Sequence, residues 1–371
     1  MVVDIFDHGD ALGPGKVVHV CEPSVGLRAV LVIDNIALGP SVGGLRMAPD
    51  VSVGECIRLA RAMTLKNAAA GLAHGGGKSI LWGDPHMPLE AKERLIRTFA
   101  HSLRHEQDYI FGPDMGTDER CMAWIKDEIG QSVGLPAAMG GIPLDEIGAT
   151  GWGLSHAAEV AARHCGLALD SARMALQGFG AVGKHAARFL QQKGARLIAV
   201  SDTLGTVHDS AGLDVAQLIE LKKAGRSVRD YPGGEKLGRD AVIDIACDIW
   251  IPAARPDVVR EDNAWRLRTT LVLQGANIPF SPGAEQALHD RGVLIVPDFI
   301  ANAGCVICAA MEYRGAIEAQ AFQAIEEKIR ANVEAVLTEA AATRAPPRQA
   351  AMRLARTRIE EAMRYRRFGL M

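Results

Sequence analysis

A chain of 371 residues is long for a single hydrophobic core, so two domains are expected. Apolar residues at 48%, charged residues at 23% and a net charge of −3 suit a soluble globular protein and give no reason to expect nucleic acid or a membrane as partner. No apolar run reaches the ~18 residues of a membrane span, MVVDIFDHGD is no signal peptide, and seven scattered cysteines read as reduced cytoplasmic thiols.

In chain order, the first element is a strand over Gly26 to Ile36, whose alternation predicts fuller burial on one face. After Gly43-Gly44 comes SVGECIRLARAMTLKNAAAGL. Ser52 and Glu55 stand in a capping-box arrangement there, and the apolar spacing predicts a helix ending near Gly71. GGIPLDEIGATG, from about residue 140, supplies loop residues between the two domains. Beyond it, short apolar runs alternate with amphipathic helices: TGWGLSHAAEVAARHCG, ARMALQGFG, VGKHAARFLQQKG, ARLIAVSD, LDVAQLIELKKAG, DIWIPA, LRTTLVLQGAN and GVLIVPD. This predicts a doubly wound parallel sheet. Past Asn302 three helices are expected, near Gly304 to Gly315, near Glu318 to Ala342, and after Pro347. Cys305 and Cys308 have CxxC spacing, but no second such pair accompanies them, so they read as helix packing and no metal is expected.

The turn QGFGAVG carries Gly178, Gly180, Ala181, Val182 and Gly183 between a strand and a helix. A glycine at each of the three positions allows the tight turn, the approach of a pyrophosphate, and close helix packing. Asp202 ends the next strand, 24 residues after Gly178, where a carboxylate can accept ribose hydroxyls and repel a 2′-phosphate. No Lys or Arg lies between Asp202 and Lys222, so NAD is the expected cofactor and NADP the lesser alternative.

Lys66 in MTLKNAAAGL and Lys78 in GGGKSIL sit in apolar, glycine-rich and alanine-rich company, unusual for surface cations. Two ammonium groups brought close, one of them desolvated, depress a pKa and can make a lysine a general base. With GGLRM, MTLKNAAAGL, GGGKSIL, GPDMGTD, DEIGATGWG, GFGAVG, QGAN and PDFIANAG in this order, the chain resembles the glutamate/leucine/phenylalanine/valine dehydrogenases over about three quarters of its length. The resemblance implies reversible oxidative deamination of an L-amino acid to its 2-oxo acid and ammonia. It implies that Lys66, with the Gly43-Gly44 backbone, holds the α-carboxylate. Lys78 would activate water and polarise the carbonyl or imine, and Asp114 would shuttle the amine proton. Thr150, Asn277 and Asn302 match positions near the nicotinamide and the substrate amine.

Glutamate-specific members carry a lysine before the paired glycines and commonly a hydroxyl seven residues after the asparagine at Asn302. Here those positions are Val42 and Ala309. Val42, Met63, Val306 and Ala309 predict an apolar pocket, and Gly112 and Ala309 leave room for a large aliphatic or aromatic side chain. Glutamate dehydrogenase activity and a catalytically silent nucleotide-binding regulator are the alternatives. A 2-hydroxy-acid dehydrogenase is a third, and it lacks the His–carboxylate motif it would need. The expected fold is an N-terminal α/β substrate and oligomerisation domain (1–140) and a Rossmann NAD domain (141–339) separated by a cleft. The last helix, about 340–371, packs back on the first, and the protein is expected to be a homo-oligomer.

Overall fold

The first sheet grows from runs of β-branched and other apolar residues. Its strands are β1 (Lys16–Glu22), β2 (Leu27–Asn35), β3 (Ser41–Ala48), β4 (Gly75–Trp82) and β5 (Tyr109–Pro113), with helices α1 (Val53–Ala69), α2 (Leu89–Ser102) and α3 (Glu119–Ile129) between or after them. The computed structural model describes residues 9–366. The strand order is β1-β2-β4-β3-β5, with β2 antiparallel to β1 and β4, and β3 parallel to β4 and β5. β2 was expected to bury one face. It is buried on both, because Leu27, Ala29, Leu31 and Ile33 enter a core with α2 and α3 while Val30 and Val32 enter a second core with α1.

Ser52 caps α1 by accepting the N–H of Glu55, as the capping box predicts. The Glu55 carboxylate instead takes the guanidinium of Arg46. The helix lies so close to β4 that a Cβ on Gly76 would fall 1.9 Å from the backbone N of Thr64. That approach seats Lys66, two residues on, against the sheet, and Asn67 fixes it by donating to Gly75 O at 2.7 Å.

The second sheet follows α4 (Leu144–Ile147) and α5 (Ala149–His164). It comprises β6 (Arg173–Gln177), β7 (Arg196–Ser201), β8 (Thr206–His208), β9 (Glu235–Leu237), β10 (Ile249–Pro252), β11 (Leu271–Leu273) and β12 (Leu294–Val296). Helices α6 (Ala181–Gln192), α7 (Val215–Lys223) and α8 (Pro282–Asp290) intervene, and α9 (Asp298–Ala301), α10 (Gly304–Tyr313), α11 (Glu318–Thr343) and α12 (Pro347–Met363) follow. The order β12-β11-β10-β6-β7-β8-β9 is parallel from β12 to β7 and antiparallel beyond. The strand order reverses at β6, whose C-terminal turn is the glycine-rich one, which is where doubly wound sheets bind nucleotides. β8 and β9 carry no readable period at three residues each and lay outside the sequence expectation.

The chain divides into two units, one of residues up to Leu144 with Val306–Ala321 and those from Met352 on, the other of Asp145–Cys305 with Phe322–Ala351. Residues 306–321 thus belong to the first unit, and 340–351 stay with the second. Positions 367–371 of the expected terminal helix lie outside the described residues. No helix among the described residues is long and apolar enough to cross a membrane.

Gly76→Ala is expected to cost about 3 kcal/mol of stability, because backbone on both sides must part to admit the methyl group. Denaturant unfolding of the purified variant measures it.

Candidate active site

Strand β3 organises the site in the first unit through its two-residue alternation. Leu45 and Met47 turn into the α2/α3 core, which leaves Val42, Gly44 and Arg46 on the opposite face. Lys78 on β4 and Asp114, just beyond β5, flank that face. The Lys78 Nζ lies 2.6 Å from Asp114 Oδ2, and Arg46 donates through Nε to the same oxygen at 3.1 Å. The pair forms because Gly44 has no side chain. A Cβ there would stand 2.7 Å from the Asp114 Cβ and 3.1 Å from the Lys78 Nζ.

Lys66 and Lys78 are 7% and 6% exposed, so both expected lysines are buried cations. The sequence reading set Lys78 against a second ammonium; its partner at hydrogen-bonding distance is a carboxylate. Burial pushes the Asp114 carboxyl upward, but the charges of Lys78 and Arg46 and the hydrogen bonds to it outweigh burial and hold it below its ordinary value. Asp114 is therefore ionised and able to accept a proton. Arg46 was overlooked in the sequence, although it stands inside GGLRM two residues from Gly44, a spacing that puts it on the same strand face.

Val42 and Ala309 pack together, joined by Ile110 of β5 and Val133. Met63 is half-buried on α1 and Val306 is buried on α10, and neither belongs to that cluster. Gly112 adjoins it with space to spare: a Cβ there would meet Val133 Cγ2 at 3.8 Å and the Gly43 carbonyl at 3.9 Å. His74 donates through Nδ1 to Pro40 O and lies edge-on to Tyr313, a packing role.

The second unit carries the residues expected to hold the cofactor. Gly178 has φ +100°, and a Cβ on Gly183 would lie 2.0 Å from Gly178 O, whereas around Gly180 there is open space. Gly180 caps α6 without a side chain, which leaves the first-turn N–H groups of Ala181, Val182 and Gly183 to an incoming anion. These features fit a dinucleotide. At the far side, Asn302 donates to Asn277 Oδ1 at 2.9 Å, and a Cβ on Gly304 would meet Ala149 O at 2.2 Å and the Cα of Thr150 at 3.1 Å, so Thr150, Asn277 and Asn302 gather in one place. Next to them, Ile278 has φ +48°, an uncommon conformation for a β-branched residue. Its N–H is held by Asp298 Oδ2 at 2.8 Å, and the other Asp298 oxygen takes the Arg348 guanidinium at 3.0 Å.

Asp202 differs from its expected role. Oδ1 accepts from Leu204 N and Ser227 Oγ, and Oδ2 from Val228 N and the Lys222 ammonium, all at 2.9–3.0 Å. Its lone pairs are filled from within the chain, and Lys222, outside the interval scanned in the sequence, folds back to offset its charge. Cys305 donates to Asn302 O, Cys308 is buried, and among the described residues no His, Cys, Asp and Glu cluster could hold a metal ion.

Two outcomes follow for the paired charges. Gly44→Ala separates Lys78 from Asp114 and is expected to lower kcat by at least about 100-fold with modest loss of stability; steady-state kinetics and thermal melting check both. Asp114→Asn leaves Lys78 buried without its counter-charge and is expected to cost about 2 kcal/mol at pH 7. Because the folded carboxyl lies below its ordinary 3.8, this contribution is complete above about pH 4 and is lost as the pH falls through the folded value. The wild-type and variant unfolding midpoints should therefore converge in acid.

Residues 16–131 match the Glu/Leu/Phe/Val dehydrogenase dimerisation domain, and residues 140–367 match the Glutamate/Leucine/Phenylalanine/Valine dehydrogenase domain. The chain is 34% identical to a glutamate dehydrogenase of Aeropyrum pernix, covering 90% of this chain and 85% of the relative. It is 38% identical to an NADP(+)-dependent glutamate dehydrogenase of Pyrobaculum calidifontis, over 82% and 76%. A hetero-hexameric glutamate dehydrogenase of Thermus thermophilus, solved in a leucine-bound form, superposes with a TM-score of 0.84 at 29% identity, covering 95% of this chain and 89% of that one. The chain thus belongs to the glutamate/leucine/phenylalanine/valine dehydrogenase family and is an amino-acid dehydrogenase.

Proposed function

We propose that the protein oxidatively deaminates an L-amino acid with a large aliphatic or aromatic side chain, using NAD. One observation carries the substrate: the apolar cluster of Val42, Ile110, Val133 and Ala309 beside the Lys78–Asp114 pair. A γ-carboxylate placed against it would lose its water and gain no cation, at a cost of several kcal/mol. The named relatives act on glutamate according to their names, which makes glutamate the second reading.

NAD, when bound, would supply the acceptor for the hydride that leaves Cα. Lys66 clamps the α-carboxylate, with the Gly43-Gly44 backbone alongside, and so aims the Cα–H bond. The ionised Asp114 takes the proton of the substrate ammonium, leaving the amine from which hydride can depart. Lys78, once its proton has passed to solvent, accepts as the amine the proton of the water that attacks the C=N carbon. That proton restores the Lys78 ammonium, which pairs again with Asp114 at 2.6 Å. Asp114 returns its proton to the nitrogen, which departs as ammonia, and the hydroxyl proton passes to solvent as the carbonyl forms. Arg46 keeps Asp114 charged and in place. Thr150, Asn277 and Asn302 line the nicotinamide end, and Gly178, Gly180, Ala181, Val182 and Gly183 receive the pyrophosphate. Asp202 favours NAD only through the part of its charge that Lys222 leaves uncompensated, and not through ribose hydrogen bonds, so the preference is modest.

The test is a panel of leucine, valine, phenylalanine, tryptophan and glutamate, followed by reduction of NAD. An apolar amino acid should exceed glutamate by at least about 100-fold in kcat/KM, and Lys78→Ala should lower kcat about 1,000-fold. Val42→Lys with Ala309→Ser should raise activity on glutamate at the expense of the apolar substrate. Glutamate as the best wild-type substrate sinks the pocket assignment; no turnover on any amino acid sinks the deaminase reading. NAD should exceed NADP by about tenfold in kcat/KM, and a preference for NADP overturns the Asp202 reading.

A further inference from the structure

The proposed mechanism makes no use of Glu312, a carboxylate 9% exposed on α10. Its charge is met by three backbone N–H groups. Oε1 accepts from Gly134 at 2.8 Å and from Leu135 at 3.1 Å, and Oε2 accepts from Ile142 at 2.9 Å. A carboxylate satisfied this way makes charge-assisted bonds, each stronger than a bond between neutral groups. The three donors are the two ends of one loop, residues 134–142, so a single side chain closes it.

Two neighbours of the loop belong to the substrate side. Val133, immediately before Gly134, is a member of the apolar cluster, and its own N–H is tied to Phe111 O at 2.8 Å on β5. Glu312 therefore fixes the chain on the side of Val133 that β5 does not. Gly134 also lies against Pro113, the residue before Asp114: a Cβ on it would stand 2.5 Å from the Pro113 Cδ. Ala309 stands three residues before Glu312 on α10, one helical turn away on the same face. One turn of helix thus supplies both a wall of the pocket and the clamp that sets the wall opposite.

We propose that Glu312 is a positioning residue for side-chain selectivity: by closing the 134–142 loop it sets where Val133 stands relative to Ala309 and Val42, and so the volume the substrate side chain meets. This rests on the assignment of the apolar cluster as the substrate pocket. Such a role does not touch the reacting atoms, so it acts on recognition of the side chain before it acts on turnover.

Glu312→Gln tests it, because the amide keeps the shape and one acceptor but turns an N–H toward a backbone N–H. KM for the preferred apolar amino acid should rise about tenfold, the loss of one charge-assisted bond. Meanwhile kcat should stay within about twofold and the Kd for NADH should not move. The kcat/KM ratio between phenylalanine and valine should shift by about the same factor, and the amides of Gly134, Leu135 and Ile142 should exchange hydrogen faster. Equal losses on every amino acid with the ratios intact, or unchanged exchange at the three amides, would overturn the proposal. If the variant does not fold, hydrogen exchange on the wild type decides: protection at the three amides no greater than at Ala138 to Gly140 overturns it, and clear protection supports it. Failure of the pocket assignment is read separately, in the wild-type panel, where glutamate would be preferred; the Glu312 outcome is a change between wild type and variant whichever substrate leads.

Discussion

The Lys78–Asp114 ion pair is the interaction around which the first unit is arranged. Two opposite charges from β4 and from the end of β5 must meet across the strand that separates them, and they meet because that strand carries a glycine at the crossing point. The strand alternation then dictates the rest. The position before the gap along the same face is Val42, which joins the apolar cluster, and the position after it is Arg46, which braces Asp114. Helix α1 is held against β4 by another close approach, at Gly76, and delivers Lys66 from above the sheet. Burial of lysines is normally costly; here one of them is compensated by a carboxylate kept ionised by two cations. In the proposed function, acid–base chemistry and structural integrity therefore rest on the same three side chains.

The second unit solves a different problem with a related device. A nucleotide needs bare backbone N–H groups, and Gly180 leaves them bare at the start of α6. The residues proposed for the nicotinamide end form a polar turn held by carboxylate and amide clamps. Asp298 grips the N–H of Ile278 in its uncommon conformation, and Asn302 grips Asn277, with Arg348 anchoring Asp298 from the start of α12. Asp202 is a third clamp of this kind, fastening residues 227 and 228 to the end of β7.

Much of this was legible in the sequence. The lysines stood out because their neighbours were apolar, the glycine turn because a strand preceded it and a helix followed, and the three C-terminal helices because their spacing is regular. What escaped had no local signature. The two-sided burial of β2 depends on which elements cover each face, a tertiary fact. Arg46 lies within GGLRM and Glu312 on a helix whose spacing is regular, but Asp114 and the backbone donors to Glu312 are 68 and at least 170 residues away in the chain, beyond the reach of any spacing rule. Asp202 was misread for the converse reason. Its position in the strand–turn pattern suits a ribose, while two of the four donors that occupy it, Ser227 and Val228, arrive from a segment with no periodic pattern to announce it.

The spare room at Gly112 has its own consequence. Glycines at 43, 44 and 76 are fixed by atoms within 3 Å of any added carbon, so the chemistry they frame is brittle toward change. Gly112 sits on the neighbouring strand at the edge of the apolar cluster, and a methyl group there would reach only ordinary van der Waals contact. On the proposed assignment of the pocket, the chain thus carries an adjustable volume next to an unadjustable reaction centre. Side-chain preference can drift one carbon at a time at this point while the proton-transfer apparatus stays untouched, which is how a single scaffold can serve a series of amino acids graded by size.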